Sequence, residues 1–473
     1  MHVQSAVPGN ISSDWSWWRR DIEGLHGATL PPLIGRLTAD VVIIGGGFTG
    51  MWTALTLKER NPGLKVVLLE ATKLGDGASS RNGGIVHGYW QSLPANIRSF
   101  GLDTALELAR LGSKAQSEFK KFVTSPGRDV WWNEFGNIRI ATCATQEKNI
   151  KTFLGQCHGL GVENFIKPLT KHEVAMLVSG PVFGSGIFFP EAGNVHPGRL
   201  VIALKKAVIA AGVIVHEYTP VKSIQENSLK TVLAKEGRVD AAQVVLATNV
   251  GLVGLPQVAS SLSLFSSYAT MSYPCEEGLA KINWEKPFGA NDARMFLHYF
   301  RKTQDHRVLM GAGSGPLGHS ADALELRRDV ASYQRARAGM RRLLPDIADA
   351  AHVQTWGWPI DVSADRVPFF KSLKPGIHYA AGFSGHGVQA AWIAGQCLSS
   401  LVLGQKDEWY YSPFCQREVP KFPPEPVKYW GASAIRSAIL ACEESEQEGK
   451  RASYLARSVA ALPNLLGLRV GVR

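Results

Sequence analysis

The chain has 473 residues, of which 45% are hydrophobic and 19% are charged. These fractions are ordinary for a folded globular protein, so they exclude wholesale disorder and predict roughly two to four domains' worth of structure. The net charge of +11 is spread thinly, with no basic tract interleaved with aromatic residues, and we therefore expect no nucleic-acid partner.

The cysteines and the apolar stretches indicate a cytoplasmic protein without a membrane span. The six cysteines are scattered and form no CxxC pair, which favours reduced thiols and argues against a metal site or a disulfide framework. The N-terminus lacks the apolar core of a signal peptide. Residues 241–275 and 375–405 carry no charged side chain, but their Asn, Gly and Ser content predicts buried elements instead of bilayer helices.

The predicted elements begin after a leader, residues 1–39, whose tryptophans Trp15, Trp17 and Trp18 we expect to pack at the surface. A strand over 41–44, a glycine turn, a helix over 51–60 and a strand over 65–70 follow. Further on, the patterns predict helices over 101–121, 199–211, 322–344 and 387–403, hairpin strands within 131–141, strands over 213–216 and 243–247, a β-rich region over 265–312, and a tail over 443–473 whose amphipathic segment is broken by Pro463.

The first motif is the turn GGGFTG, which runs from Gly45 to Gly50 between the first strand and the first helix. Glu70 ends the next strand 20 positions after Gly50, which completes the context of a dinucleotide-binding fingerprint. Gly45 would make the tight turn, Gly47 would admit a pyrophosphate, and Gly50 would let helix and strand pack closely. A ligand-free glycine turn is the alternative, and the motif alone does not choose between FAD and NAD.

The second motif is a run of small residues directly after Glu70. Residues 73–88 have the sequence KLGDGASSRNGGIVHG, which has no apolar period. Backbone donors and serine hydroxyls in such a run would line a long ligand, which a flavin crossing the fold requires and an NAD site does not. A flexible glycine loop is the alternative.

The third motif, AAGFSGHGV over residues 380–388, precedes an apolar helix. Its glycines permit close backbone approach, and the helix N-terminus would stabilise negative charge on a reduced flavin pyrimidine. His386 would contact the flavin or the substrate, with a purely structural hydrogen-bonding role as the alternative.

In this order, the three motifs resemble those of the D-amino acid oxidase superfamily of FAD-dependent oxidoreductases. Further matches are GNVHPGRLVIALKKAVIAAGVIVHEYTPV, AAQVVLATN, DHRVLMGAG and TWGWPIDVSADRVPFF, so that the resemblance spans about residues 36–405. GASSRNGG and GFSGHGV are most similar to the γ-glutamylputrescine oxidoreductase branch, whose members oxidise amines and also carry a C-terminal extension.

The resemblance implies an α/β fold (α+β overall), in which a discontinuous Rossmann-type FAD-binding domain is interleaved with a mixed β-sheet substrate domain. The FAD-binding domain would comprise residues 36–90, 195–260 and 345–405, and the substrate domain residues 91–194 and 261–344. Residues 1–35 would form an N-terminal leader and residues 406–473 a C-terminal extension of unassigned role.

The resemblance also implies the site residues, position by position. Val221 would meet the adenine, residues 78–85 would follow the cofactor from pyrophosphate to ring, and the third motif would meet the pyrimidine. The implied cofactor residues are Gly45, Gly47, Phe48, Thr49, Gly50, Glu70, Ala78, Ser79, Ser80, Asn82, Gly83, Gly84, Ile85, Val221, Ala247, Thr248, Gly357, Gly385, His386, Gly387 and Val388.

The chain departs from its relatives at three positions. No cysteine lies near Trp358, where sarcosine-oxidase-like relatives attach FAD, so we expect noncovalent FAD, with a histidyl link at His87 as the alternative. Leu309 stands at the place of their oxygen-assisting lysine, which leaves open O2 or another electron acceptor.

The third departure concerns the substrate. Trp358-Pro359-Ile360 stands where glycine-oxidase-like members bind the substrate carboxylate with an arginine. A simple α-amino acid is therefore a less favoured substrate, unless Arg294 or Arg301 serves instead.

The expected activity is removal of a hydride from the C–N bond of an amine or amino-acid-like small molecule, giving an imine that hydrolyses. His386, Tyr299 and His298 are the candidate catalytic residues, and strand alternation lets only one of the adjacent pair face the substrate. Another flavin- or nicotinamide-dependent oxidoreductase and a non-catalytic flavin-binding interaction protein are the alternatives.

Overall fold

The computed structural model describes residues 15–226, 228–320, 322–348, 352–465 and 468–469. Its strands in chain order are β1 (Gly35–Ile44), β2 (Val66–Leu69), β3 (Ile85–Val86), β4 (Asn137–Ile140), β5 (Lys167–Leu169), β6 (Gly186–Phe189), β7 (Gly193–Asn194), β8 (Ile214–His216), β9 (Ser223–Glu226), β10 (Lys230–Leu233), β11 (Gly237–Leu246), β12 (Leu262–Ser272), β13 (Gly289–Asp292), β14 (His298–Lys302), β15 (Val308–Ala312), β16 (Leu317–Gly318), β17 (His352–Ser363), β18 (Phe369–Lys374) and β19 (Ile377–Ala381).

The helices cover the sheet faces and most of the C-terminal extension. They are α1 (Trp17–Asp21), α2 (Phe48–Arg60), α3 (Leu93–Phe100), α4 (Leu102–Val123), α5 (Ala144–Cys157), α6 (Lys171–Leu177), α7 (Pro197–Ala210), α8 (Pro256–Ala259), α9 (Glu276–Lys281), α10 (Val330–Leu343), α11 (Pro345–Ala348), α12 (Gly387–Leu403), α13 (Glu408–Tyr411), α14 (Pro413–Gln416), α15 (Val427–Gln447) and α16 (Tyr454–Leu465).

The first sheet has the parallel core β19-β11-β1-β2-β8, with β18 antiparallel at one edge and β9 and β10 extending from β11. Both faces of its central strand are buried, which explains the continuous apolar run predicted there. Val41 and Ile43 pack into one hydrophobic core, whereas Val42 and Ile44 pack into a second core on the opposite face.

The second sheet is mixed and has the order β12-β15-β14-β13-β4-β6-β5, and both β16 and β17 also pair with β12. One of its faces packs on α10 and forms a separate core that includes Phe300 and Met310. The other face, as the side-chain alternation requires, carries Tyr299 and Gly311. This second face looks toward the first sheet and forms one wall of the site described below.

The predicted fold class is confirmed. A largely parallel sheet with both faces buried is combined with a mixed sheet, and the strands of the two sheets alternate in groups along the chain. One segment differs from the proposed division of the chain. Residues 352–363, which the prediction assigned to the cofactor domain, form β17 and pair with β12 of the second sheet along their whole length. The second sheet therefore extends to residue 363, and the chain returns to the first sheet only at β18.

The predicted hairpin over 131–141 is wrong in part. Only Asn137–Ile140 forms a strand. Its partners, β13 and β6, lie far from it in the sequence, so no hairpin turn connects it to either of them. Trp131 and Gly136 both have positive φ, of 54° and 80°, so the backbone changes direction before an extended strand begins.

The leader is not packed at the surface as predicted. Trp17 and Trp18 are 5% and 0% exposed, and they contact Leu309 and Trp356 of the second sheet in a small hydrophobic core. Trp15 alone stays partly exposed, at 36%. The composition of the leader did not reveal this, because the partners of the tryptophans are far away in the sequence.

The C-terminal extension is a helical pair, α15 and α16, that packs against the second sheet. Sequence patterning predicted an amphipathic segment broken by Pro463, but Pro463 lies inside α16, and α15 was not predicted. The buried carboxylate of Glu443 on α15 accepts from Arg294 Nε at 3.1 Å and from the Met295 backbone N–H at 2.5 Å. Within the described residues, no helix combines the length and the apolar composition that a bilayer span requires.

The buried pair of Glu443 and Arg294 predicts a large stability effect. Glu443→Ala leaves the guanidinium buried without its carboxylate, so we expect the free energy of unfolding to fall by about 3–5 kcal/mol. Denaturant titration measures the loss. The matched surface variant Glu118→Ala, which breaks an exposed pair with Lys121, should change the same quantity by less than about 1 kcal/mol. Equal effects of the two substitutions would contradict the anchoring role of Glu443.

Candidate functional site

A cavity of about 1230 Å³ lies between the two sheets. Its walls come from the carboxyl ends of β1, β2 and β11, from the segment after β2, from the turn before α12, and from the second sheet. Ligands of open parallel sheets bind at the carboxyl ends of the strands. The volume exceeds the roughly 300–1,000 Å³ of a pocket for one drug-sized ligand, and it therefore has room for a dinucleotide and a small substrate.

The glycine turn at the end of β1 can be built only from glycine at two positions. Gly45 has a φ of 109°, and a Cβ there would lie 2.5 Å from the Ala247 carbonyl oxygen. A Cβ on Gly50 would lie 1.9 Å from the Gly45 carbonyl oxygen. Strand and helix consequently approach as closely as a dinucleotide turn requires, and Phe48 and Thr49 at the start of α2 line the cavity.

Glu70 at the end of β2 is held in place at the rim of this turn. Its Oε2 accepts from the Gly46 backbone N–H at 2.7 Å, and its Oε1 accepts from the Thr72 backbone N–H at 2.9 Å. The carboxylate lines the cavity and retains acceptor capacity for further donors. This geometry fits a ribose diol beside the glycine turn of residues 45–50, which we call the first cradle.

The small-residue run of residues 73–88, which we call the second cradle, is an ordered segment and not a flexible loop. Ser79 Oγ accepts from the Phe48 backbone N–H at 2.8 Å, which joins the segment to the first turn of α2. The Asn82 side chain donates to the carbonyl oxygens of Ala78 and Ser79 and accepts from the Gly84 N–H at 2.8 Å. The segment therefore closes on itself, and Ala78, Ser79 and Asn82 line the cavity.

Side chains from outside the segment fix its carbonyl groups. Trp18 Nε1 donates to the Asn82 carbonyl at 2.8 Å, Trp356 Nε1 donates to the Arg81 carbonyl at 2.9 Å, and Ser16 Oγ donates to the Ser80 carbonyl. The buried tryptophans of the leader thus support the cofactor cradle, a role that no local sequence signal indicated.

The glycine turn within residues 380–388, which we call the third cradle, precedes α12 and has an unusual backbone conformation. Gly382, Ser384 and Gly385 have φ values of 76°, 53° and 86°, and α12 begins at Gly387. The His386 ring lies 5.0 Å from the His87 ring, centroid to centroid. Burial holds the pKa of His386 well below its usual value, and the nearby His87, Arg366 and Arg469 lower that pKa further, so the imidazole is neutral at pH 7.

Asp361 on β17 connects this turn to the two sheets and was not predicted. It is 1% exposed, and its carboxylate accepts from the Gly382 N–H at 2.5 Å and from Asn249 Nδ2 at 2.8 Å. Burial raises the pKa of Asp361 to about 7. A carboxyl in this setting holds the turn before α12 in position.

The opposite wall of the cavity is a register row of the second sheet. Tyr299 pairs with Gly311 on one neighbouring strand and with Asn291 on the other, and Asn291 pairs with Arg139. The Tyr299 ring fills the space above Gly311, and its hydroxyl lies 3.0 Å from Ser267 Oγ. Burial raises the pKa of Tyr299, so its hydroxyl stays protonated and can donate.

His298 lies on the other face of the sheet, as alternation requires. Its Nδ1 lies 2.7 Å from Asp292 Oδ2, and its ring packs on Gly339 of α10. The structure therefore brings Tyr299, but not His298, to the cavity.

Arg294 and Arg301, the two candidates for binding a substrate carboxylate, form their contacts outside the cavity. Arg294 pairs with Glu443, and Arg301 donates to the Gly84 carbonyl at 3.2 Å and packs on Trp18. Neither lines the cavity. Leu309 is fully buried among the tryptophans of the leader core and does not line the cavity either.

Most residues of the implied cofactor set line one cavity. Three do not, each for a packing reason: Gly50 contacts Gly45 within the turn, Ser80 is buried under the second cradle, and Gly357 accommodates the Tyr268 ring. Those that do are Gly45, Gly47, Phe48, Thr49, Glu70, Ala78, Ser79, Asn82, Gly83, Gly84, Ile85, Val221, Ala247, Thr248, Gly385, His386, Gly387 and Val388.

The cavity has two further linings that sequence patterns did not reveal. Trp358 is stacked between the guanidinium groups of Arg81 and Arg327, whose Cζ atoms lie 3.8 Å and 4.7 Å from its ring centroid. The C-terminal helices add an apolar roof, in which Ile435 of α15 and Leu462 of α16 take part. Apolar residues on an amphipathic helix give no signal that distinguishes a cavity wall from ordinary core.

Comparisons with known proteins agree with this architecture. A family model for FAD-dependent oxidoreductases (DAO) matches residues 40–401. A probable oxidoreductase, OrdL, of Rhizobium meliloti is 28% identical over 91% of this chain and 96% of its own. The γ-glutamylputrescine oxidoreductase of Escherichia coli is 26% identical over 79% of this chain and 85% of its own. Among solved structures, glycine oxidase from Geobacillus kaustophilus superposes with a TM-score of 0.66 at 21% identity, over 81% of this chain and 99% of that chain.

Glu70 and Gly47 give a direct test of the first cradle. Glu70→Ala removes a charged acceptor worth about 1.5–3 kcal/mol, so we expect FAD to bind about 10- to 100-fold more weakly. Gly47→Val should abolish binding, because even a Cβ would lie 3.0 Å from Ser79 Oγ and the larger side chain would fill the pyrophosphate position. Fluorescence titration of the apoprotein with FAD measures both effects. Wild-type affinity in both variants would contradict the assignment.

Proposed function

We propose that this chain, which belongs to the DAO family of FAD-dependent oxidoreductases, oxidises a primary or secondary amine at its C–N bond. The observation that carries the proposal is the common cavity of the three glycine cradles, whose facing wall bears Tyr299. FAD, when bound, would accept the electrons of the substrate. The relatives named for their substrates act on γ-glutamylputrescine and on glycine, both of which carry an oxidisable amine.

The residues around the site support amine binding without strong acid–base chemistry. Both histidines that line the cavity are neutral, since burial also lowers the pKa of His87 to about 4. The protonated hydroxyl of Tyr299 can orient a polar group of the substrate, and its ring, set against Gly83 and Gly311, limits the space above the second cradle. A neutral amine is the form that loses electrons most readily, and burial together with the cationic guanidinium groups of the cavity wall favours it over the ammonium.

Residues of the second sheet also indicate which kind of molecule takes the electrons from the reduced flavin. Leu309 is buried where relatives of the sarcosine-oxidase type have a lysine that assists oxygen. Among the described residues, the one lysine that lines the cavity is Lys428, and its Nζ lies 3.0 Å from Glu425 on the C-terminal extension. We therefore propose that reoxidation by O2 is slow and that another acceptor takes the electrons. Stopped-flow mixing of the reduced protein with air-saturated buffer tests this point.

We predict noncovalent FAD. The six cysteines lie within the described residues and none lines the cavity, so a thioether link to the flavin has no donor there. Acid or heat treatment should release free FAD into the supernatant. Flavin that stays on the denatured chain would overturn the prediction, and loss of that attachment in His87→Ala would identify the link.

Anaerobic mixing with amines and amino acids tests the activity itself. A substrate should bleach the visible flavin band, and His386→Ala should slow that reduction about tenfold to a thousandfold while FAD stays bound. The control His172→Ala, at an exposed position, should leave the rate unchanged. Because the pKa of His386 lies well below 6.5, its contribution should not titrate between pH 6 and 9. Failure of every amine to reduce the flavin would refute the proposed function.

A further inference from the structure

Arg139 on β4 is a buried cation without a carboxylate. It is 7% exposed, lines the cavity, and makes no ion pair within the part of the chain that the structure describes. Its Nη2 donates to the Gln91 carbonyl at 2.9 Å, whereas Nε is buried without a hydrogen-bond partner. Burial lowers the pKa of Arg139 to about 10, so the guanidinium still carries its charge at neutral pH.

Two other buried arginines of this protein are paired with carboxylates, and a third, Arg301, has no carboxylate partner among the described residues but donates to the Gly84 carbonyl at 3.2 Å and does not line the cavity. Arg294 binds Glu443, and Arg417 binds Asp365 with two nitrogens, at 3.0 Å and 3.2 Å. A buried charge without a partner is costly, because burial removes hydration that no counter-charge replaces. The contrast indicates that the partner of Arg139 is an anion brought by a ligand.

The surroundings of Arg139 are those of a polar binding wall. Gln91 Nε2 and Asn137 Oδ1 are buried side-chain atoms without hydrogen-bond partners, and both residues line the same cavity. Asn137 Nδ2 donates to Asn291 Oδ1 at 2.9 Å, so β4 and β13 present one connected set of amides beside the guanidinium. The free Nε2 donor of Gln91 and the cation together match the acceptor oxygens of a carboxylate, whereas Asn137 Oδ1 is an acceptor that would take an N–H or O–H group of a ligand.

The register of the sheet sets the distance from this wall to the reacting end of the substrate. Arg139 pairs with Asn291, and Asn291 pairs with Tyr299. Strands are about 4.8 Å apart, so the backbones at Arg139 and Tyr299 are separated by about 10 Å. An acid group bound at Arg139 is thus several bonds away from a carbon that reacts beside Tyr299.

We propose that Arg139 binds a carboxylate of the substrate, and that the substrate is an amine whose acid group is remote from the oxidised carbon. The assignment rests on the proposed function, because it takes Tyr299 to mark the reacting end. Arg139 acts as a specificity-determining residue, and the Gln91 Nε2 donor completes the carboxylate site. The alternative partner is an anionic group of FAD itself.

The test uses the full-length, FAD-loaded protein and needs no turnover. Butyrate and hexanoate, with butyramide and hexanamide as their uncharged analogues, are titrated while the visible flavin spectrum is followed. In the wild type the acids should perturb the spectrum, and the amides should bind at least tenfold more weakly. Arg139→Met should weaken the acids about 10- to 100-fold and leave the amides unchanged.

Two further variants keep the result decisive. Arg139→Gln should show the same selective loss for the acids, and it carries the comparison if the Met variant does not fold. The control Arg342→Met changes a partly buried arginine that donates to Thr142 and does not line the cavity, and it should bind the acids as the wild type does.

Three outcomes would overturn the inference: acids that do not bind the wild type, acids that bind the Arg139 variants equally well, or variants that lose FAD affinity or shift the flavin potential without a selective loss for acids. The last would assign the guanidinium to the cofactor. Once a substrate is found, amino acids with a remote carboxylate should surpass both glycine and alkylamines in kcat/KM, and Arg139→Met should remove that preference. If acids bind through Arg139 but no amine reduces the flavin, the proposed function fails and the acid site stands.

Discussion

The carbonyl groups of residues 80, 81, 82 and 84 accept hydrogen bonds from side chains of three other parts of the chain. The leader contributes Ser16 and Trp18, β17 contributes Trp356, and β14 contributes Arg301. The second cradle lies between two sheets that have no strand in common, and a segment of small residues has little side-chain packing of its own to fix it. These bonds therefore fix the segment between the first sheet, which carries the glycine turn after β1, and the second sheet, which bears Tyr299.

Strand alternation then distributes the side chains of the second sheet between a structural and a functional face. His298 and Tyr299 are neighbours in the chain, yet one is paired with Asp292 near α10 and the other lines the cavity. The same alternation places Arg139 in the register row of Tyr299. A single row of the sheet consequently carries a hydroxyl and a cation on backbones about 10 Å apart, which would allow both ends of one small substrate to be bound.

The C-terminal extension closes the remaining side of the cavity. The family model ends at residue 401, whereas α15 and α16 lie beyond it and supply the apolar roof. Glu443 anchors α15 to the second sheet through Arg294, so the roof has a fixed position over the wall. The three glycine segments thus lie in the part of the chain shared with the family, and the apolar roof of the cavity comes from the part that follows.

The sequence by itself determined the three glycine motifs, because their signals are local, and the order of these motifs carried the family resemblance that implied the two-sheet fold. Gly45, Gly50 and Glu70 lie within one strand–turn–helix–strand unit, and the steric need for glycine is the same wherever such a turn forms. The tertiary structure decided the supports and the facing wall. Trp18 bonds to a carbonyl 64 positions away, and Asp361 to an amide 112 positions away, contacts that no periodicity encodes. The surroundings of a charged side chain such as Arg139 depend on which strands become its neighbours. Pairing between strands that are distant in the sequence therefore decides whether that side chain is solvated, ion-paired or open to a ligand.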